Sequence, residues 1–145
     1  MSRRALRPAI TVLSLVGAGI AGYLTYTHYA DVSPLCTSGG CGKVQRSSYA
    51  ELAGVPVAVL GLAAYGALLT SAGIRSLWSA LAGAVVAIGG TAFGGYLLWA
   101  QLARIHAICA WCVGNDAVVA VLAVLCALRL LVEPADTIAG PNRGA

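Results

Sequence analysis

Four of the five cysteines in this chain fall into two close pairs, Cys36 with Cys41 and Cys109 with Cys112. The second pair is a CxxC motif, Cys109-Ala110-Trp111-Cys112, which serves either a metal knuckle or a redox site. Only a thiolate attacks a disulfide. A helix amino terminus, with its partial positive charge and free N–H groups, lowers a cysteine pKa. CAWC at the start of an apolar helix therefore favours redox chemistry. The first pair, Cys36-Thr-Ser-Gly-Gly-Cys41, lies among Gly39, Gly40 and Gly42. Such a loop turns sharply and can carry a disulfide between an outside partner and a fixed pair. Cys126 stands alone in an apolar run and reads as a small core hydrophobe.

The elements that hold these cysteines belong to a bilayer. The 145 residues are 59% hydrophobic and 10% charged, with mean hydropathy +0.84, against about 25% charged in soluble domains. The net charge of +4 is not a nucleic-acid signal, because the basic residues sit beside apolar segments as topology signals do. Four stretches approach the roughly 20 residues needed to cross: about 8–29, 55–73, 77–103 and 108–132, the second near the short limit. Frequent glycine and alanine allow close helix approach. The expected fold is an all-α, four-span helix bundle forming one membrane domain over 8–132. An outer loop at 31–54, partly helical over 43–54, would lie above its end, with termini at 1–7 and 133–145.

Six basic residues, Arg3, Arg4, Arg7, Arg75, Arg129 and Arg143, fall on one side, and three, Lys43, Arg46 and Arg104, on the other. The positive-inside rule then puts both termini in the cytoplasm, and all four paired cysteines on the outer face. Reading the first segment as a cleaved signal peptide would leave that sidedness unchanged. The tail from Glu133, with Pro134, Gly140, Pro141 and Gly144, reads as disordered.

Other residues have both a chemical and a plain reading. Asp116 follows Cys112 by four and Cys109 by seven, so all three share a helix face. An acid inside a span is expensive and often functional, so Asp116, with Asn115, is a candidate proton carrier or quinone-carbonyl contact; the plain reading is burial against a neighbouring helix. Arg104 and His106 either anchor the chain at the interface or lower the pKa of CAWC. Trp99, Trp111, Tyr23, Tyr26 and Tyr29 fit interfacial belts, and Trp111 could also pack on a quinone. Ser47 is at least a helix cap. Two static disulfides, or a four-cysteine zinc site, would use the same cysteines.

The run Cys41-Gly-Lys-Val-Gln-Arg-Ser47, then Ser48-Tyr49-Ala50, Gly54-Val55-Pro56-Val57, Gly61 and Tyr65, together with CAWC opening the last helix, resembles the bacterial homologues of the vitamin K epoxide reductase (VKOR) family. The resemblance runs from about 13 to 131. The loop pair precedes the CxxC, the reverse of the order in the four-span protein DsbB. The resemblance implies a thiol–quinone oxidoreductase of the bacterial inner membrane. It would oxidise a DsbA-like, thioredoxin-like exported protein and reduce ubiquinone, menaquinone or a phylloquinone-type quinone. Cys36 would meet the partner, Cys41 would pass electrons to Cys109, and Cys112 would be the thiolate beside the quinone. Ser47 matches the family's loop serine over the site. Val57 and Asp116 stand where vertebrate members have Asn and Tyr near the quinone, a departure that weakens the case for epoxide reduction without settling it and leaves the resemblance to quinone reduction intact. A chain ending soon after its fourth span is expected to use a separate thioredoxin-like partner. Two other classes fit the composition, a small multispan transporter and a structural subunit with static disulfides.

Overall fold

The computed structural model describes residues 3–138. Four long helices make up most of it: α1 (Arg3–Tyr29), α3 (Val57–Gly73), α4 (Leu77–Ala100) and α5 (Ala110–Ile138). Between α1 and α3 lie a short helix, α2 (Cys41–Gln45), a 3₁₀ turn (Ser48–Ala50) and a two-stranded hairpin, β1 (Glu51–Leu52) with β2 (Val55–Pro56). A π-helical turn, Gln101–Ile105, continues α4. Helices α1 and α3 pack on each other, as do α4 and α5, with further packing of α1 on α5 and of α3 on α4. Ile10, Tyr65, Leu68, Leu122 and Cys126 meet in the central core. Cys126 is a buried free thiol there, as expected of a small hydrophobe.

Among the described residues, three helical segments are long and apolar enough to cross a membrane: Ala5–Tyr29, Leu77–Ile105 and Ala110–Val132. The expected second span, 55–73, is a shorter apolar helix of 17 residues, about 26 Å at 1.5 Å per residue. It is shorter because Val55 and Pro56 pair with β1 in antiparallel register, Glu51 opposite Pro56 and Leu52 opposite Val55. The apolar run continues through a strand that composition alone does not separate from the helix. Ala53 and Gly54 both have positive φ, 52° and 81°, the requirement of a two-residue type I′ turn, and glycine adopts that conformation without strain. The all-α expectation therefore gains one small hairpin. At its far end α5 runs past 132 to Ile138; the remainder of the expected tail, 139–145, lies outside the described residues.

The ends of the helix assembly differ in chemistry. At one end Arg129 donates from Nη1 to the Ser71 carbonyl and from Nη2 to that of Ile74, both at 2.8 Å, and Arg7 Nη2 donates to the same Ile74 carbonyl at 3.3 Å. Cationic side chains there satisfy carbonyls that α3 leaves without helical partners. The opposite end, where α1 and the π turn finish and α3 and α5 begin, holds both cysteine pairs.

Candidate redox site

The backbone explains why CAWC works as a unit. Cys109 directly precedes α5, and its carbonyl accepts the helix's first bond, from Val113 N–H at 3.0 Å. Cys109 thus occupies the N-cap position and Cys112 the third helical position. The Cys112 N–H points at Cys109 Sγ, 3.3 Å away, the bond an N-cap side chain normally accepts. Cys112 Sγ also donates to Cys109 Sγ, at 2.6 Å. Cys109 lies one residue before the apolar span Ala110–Val132. Its pKa is pulled down to about 7, first by the Cys112 sulfhydryl and further by the Cys112 and Trp111 backbone N–H groups, with burial opposing. In this dithiol state anionic character collects on Cys109. Arg104 contributes no part of that shift; its guanidinium lies 5.9 Å over the Trp99 ring, the anchoring arrangement. His106 ends the π turn in a left-handed conformation.

The loop pair is a disulfide, Cys36–Cys41. It rests on CAWC: Cys41 and Cys109 are both fully buried in one cluster with Val44 and Ile105, and Cys36 and Cys112 pack at its edge. Four contacts dock the loop. The carbonyl of Ile108 accepts from Ser38 Oγ at 3.0 Å. A Cβ on Gly40 would lie 2.4 Å from that same carbonyl oxygen, so only glycine allows this approach. Trp111 Nε1 donates to the Leu35 carbonyl at 2.6 Å, and Tyr23 OH accepts from the Leu35 N–H at 3.0 Å. The two rings pack at 5.1 Å.

On the other side of CAWC lies a cavity of about 330 Å³, lined by Cys112, Asn115, Asp116, Val57, Tyr65 and Gln45 among mostly apolar neighbours. Ligand pockets span about 300–1,000 Å³, with a few polar groups on apolar walls, so the cavity accommodates a flat ring of quinone size. Asn115 Oδ1 accepts from Tyr65 OH at 2.9 Å. Asp116 Oδ2 is buried without a hydrogen-bond partner. Its Oδ1 faces Gly94, where any Cβ would sit 2.6 Å away. A buried polar atom left unpaired is destabilising, and this one belongs to a cavity-lining carboxyl.

Of the residues singled out from sequence, Cys112, Asn115, Asp116 and Val57 meet at this cavity. Trp111 is not among its lining residues, because its indole turns toward Tyr23 and the Leu35 carbonyl. Ser47 precedes the 3₁₀ turn but makes no side-chain cap. Its hydroxyl donates back to the Val44 carbonyl at 2.7 Å, closing α2, and it lines a separate polar cleft with His28, Arg46 and Glu51. Two amides were not singled out. Gln101, 2% exposed, accepts the Cys109 N–H on Oε1 at 2.7 Å and so completes the α5 amino terminus. Gln45 Nε2 points at Cys112 Sγ from 3.9 Å. Gln101 had a sequence signal, a polar amide within a span eight residues before Cys109. Gln45 follows Cys41 by four and shares its face of α2, a relation visible only once α2 is known to be helical.

An apolar helical assembly that places a loop disulfide, a dithiol and a cavity in series defines a membrane redox protein. The model of the vitamin K epoxide reductase family matches residues 8–127, and the chain belongs to that family. Its members are membrane oxidoreductases that use disulfides and quinones and work with thioredoxin-like proteins.

Proposed function

We propose that this chain oxidises the dithiol of a thioredoxin-like, DsbA-like exported protein and reduces a membrane quinone, supporting disulfide formation in exported proteins. One observation carries the reading: Cys109 is buried against Cys41 while Cys112 lines the cavity, so CAWC joins the loop disulfide to a quinone-sized space. In this reading α3 also crosses, as the second of four spans in a four-helix bundle of the bacterial inner membrane. Both termini are cytoplasmic, and Arg7, Arg75 and Arg129 at the end away from the cysteines support that orientation.

The relay balances as follows. A partner thiolate attacks Cys36 Sγ and displaces Cys41 as a thiolate; the partner's second thiol then displaces Cys36, and the partner leaves oxidised. Cys41 attacks Cys109 of an oxidised CAWC, breaking the Cys109–Cys112 bond and releasing Cys112. Cys36 next attacks Cys41, re-forming the loop disulfide and expelling Cys109. A low-pKa thiol leaves readily, which suits Cys109 to that step. A quinone held in the cavity would supply the two-electron acceptor, receiving two electrons and two protons as the Cys109–Cys112 disulfide re-forms. The chain's residues then manage the remaining chemistry. Cys112 faces the ring, Gln45 holds the Cys112 sulfur, and Asp116 carries a proton on its unpartnered Oδ2. Cys112 lines the cavity, but hydrogen bonding concentrates negative charge on Cys109, so a proton must leave Cys112 before it acts as the thiolate beside the ring.

The test follows quinone absorbance in purified wild type, Cys36→Ser and Cys112→Ser, supplied with a reduced thioredoxin-like protein. Wild type should reduce at least one of ubiquinone, menaquinone and phylloquinone, and both variants should fall to background. Thiol-dependent quinone reduction absent for every quinone, or retained in Cys112→Ser, would defeat the proposal.

A further inference from the structure

The turn between the loop cysteines contains one more group in contact with a reacting atom. Ser38 Oγ lies 3.0 Å from Cys36 Sγ and 3.0 Å from the Ile108 carbonyl oxygen. A disulfide sulfur carries no hydrogen, so the Ser38 hydroxyl supplies the single proton shared by these three atoms. In the present state that proton goes to Ile108. The turn is built to bring them together: Gly39 takes φ +69°, its N–H reaches back to the Cys36 carbonyl at 3.4 Å, and Gly40 lies directly against Ile108.

We infer that Ser38 is a catalytic residue of the loop pair, whose hydroxyl turns from the Ile108 carbonyl to Cys36 when Cys36 becomes a thiolate. Hydrogen bonds to an ionised acceptor are about twice as strong as neutral ones, so a full charge on sulfur outcompetes a backbone carbonyl at the same distance. Two effects follow. The Cys36 thiolate is stabilised whenever a partner cysteine displaces it, and the bond holding the loop to Ile108 is released at that moment. Reduction of the outer pair thereby frees one of its contacts with Ile108, while the Gly40 approach and the Trp111 and Tyr23 bonds to Leu35 keep the loop docked on CAWC for the transfer. The inference rests on the reading of Cys36 as the sulfur exchanged with the partner.

Other ionisable side chains on the surrounding elements are Tyr23, Tyr26, His28 and Tyr29 of α1, Asp31 just after it, Lys43 and Arg46 in and beside α2, Tyr49, Glu51, Arg104, His106, Asp116 of α5, and Cys41, Cys109 and Cys112. All are retained in Ser38 variants, so a comparison among those variants isolates the hydroxyl. The experiment uses the reduced full-length protein in detergent, with neither quinone nor partner present. The alkylation rate of Cys36 is read against pH by peptide mass spectrometry for wild type, Ser38→Ala and Ser38→Thr. Ser38→Ala should raise the Cys36 midpoint by about half a unit to one unit, the effect of losing one charge-assisted bond at an exposed site. Ser38→Thr, which keeps the hydroxyl, should stay near wild type. An unchanged midpoint in Ser38→Ala, or equal shifts in both variants, would overturn the inference. Loss of quinone turnover with the shift intact would instead count against the proposed function.

Discussion

Gly40→Ala should disconnect the two cysteine pairs without unfolding either. Gly40 has φ −89° and ψ −14°, a conformation that alanine adopts freely, so the substitution adds a contact and no backbone strain. The new Cβ would lie 2.4 Å from the Ile108 oxygen, 2.9 Å from its nitrogen and 3.1 Å from its carbonyl carbon, where ordinary contact begins at 3.4 Å. All three atoms are backbone, so no side chain can rotate away. The loop must lift by about 1 Å, and overpacking of this kind costs about 1–3 kcal/mol. At about 1.4 kcal/mol per tenfold, the docked loop becomes roughly 5 to 150 times less populated. Rapid mixing separates the two steps: a small dithiol reduces Cys36–Cys41, and the loop pair then reduces oxidised CAWC. The second step should slow at least about fivefold while the first stays within about twofold of wild type. Gly39→Ala is the control. That residue has a left-handed backbone with open space around it, so alanine there should cost about 1–2 kcal/mol of turn stability without blocking the approach. Transfer as fast in Gly40→Ala as in wild type, or equal slowing of both steps, would refute the docking argument.

Two further outcomes follow from the cavity side. Asp116→Asn and Asp116→Ala should each slow quinone turnover at least about tenfold, a bound set below the roughly hundredfold lower end of general acid–base effects, and change its pH profile. If both variants left rate and profile unchanged, the proton-carrying role of the orphaned Oδ2 would fail. The Cys109 pKa is lowered to about 7, below the ordinary value near 8.5, so its anion is populated above about pH 7 and lost below it. Ultraviolet thiolate absorbance of the reduced CAWC pair should therefore rise near neutral pH, and Cys112→Ala, which removes the main donor, should move that rise upward. An unmoved midpoint would show that the Cys112 sulfhydryl is not the cause.

Much of this site was legible in the chain because its signals are local. CAWC at the start of an apolar helix announces an N-cap cysteine with a second sulfur one turn later, and the helix supplies that geometry from sequence spacing alone. Asp116 and Asn115 reach the cavity for the same reason, one turn beyond Cys112. The contacts that dock the loop are different in kind. Ser38 meets Ile108 across 70 positions and Trp111 meets Leu35 across 76, so nothing near either residue records the pairing. A free, swinging loop was therefore the natural expectation for the glycines around Cys41, whereas Gly40 serves close approach in this redox state. The short α3 was hidden similarly, since Val55 and Pro56 extend its apolar run while their backbones pair with Glu51 and Leu52. Packing on a quinone is the second reading of Trp111, beside an interfacial belt. Its position puts it on a different face of α5 from Cys112 and Asp116, toward the loop.

The claim on which everything else depends is that the two pairs form one relay through Cys41 and Cys109. The most direct measurement is disulfide mapping of Cys36→Ser/Cys112→Ser after mild oxidation in membranes. The burial of Cys41 and Cys109 in one cluster predicts a Cys41–Cys109 disulfide as the dominant product, formed without denaturant. Cys41 and Cys109 remaining as free thiols, or pairing with Cys126 or between chains, would contradict it.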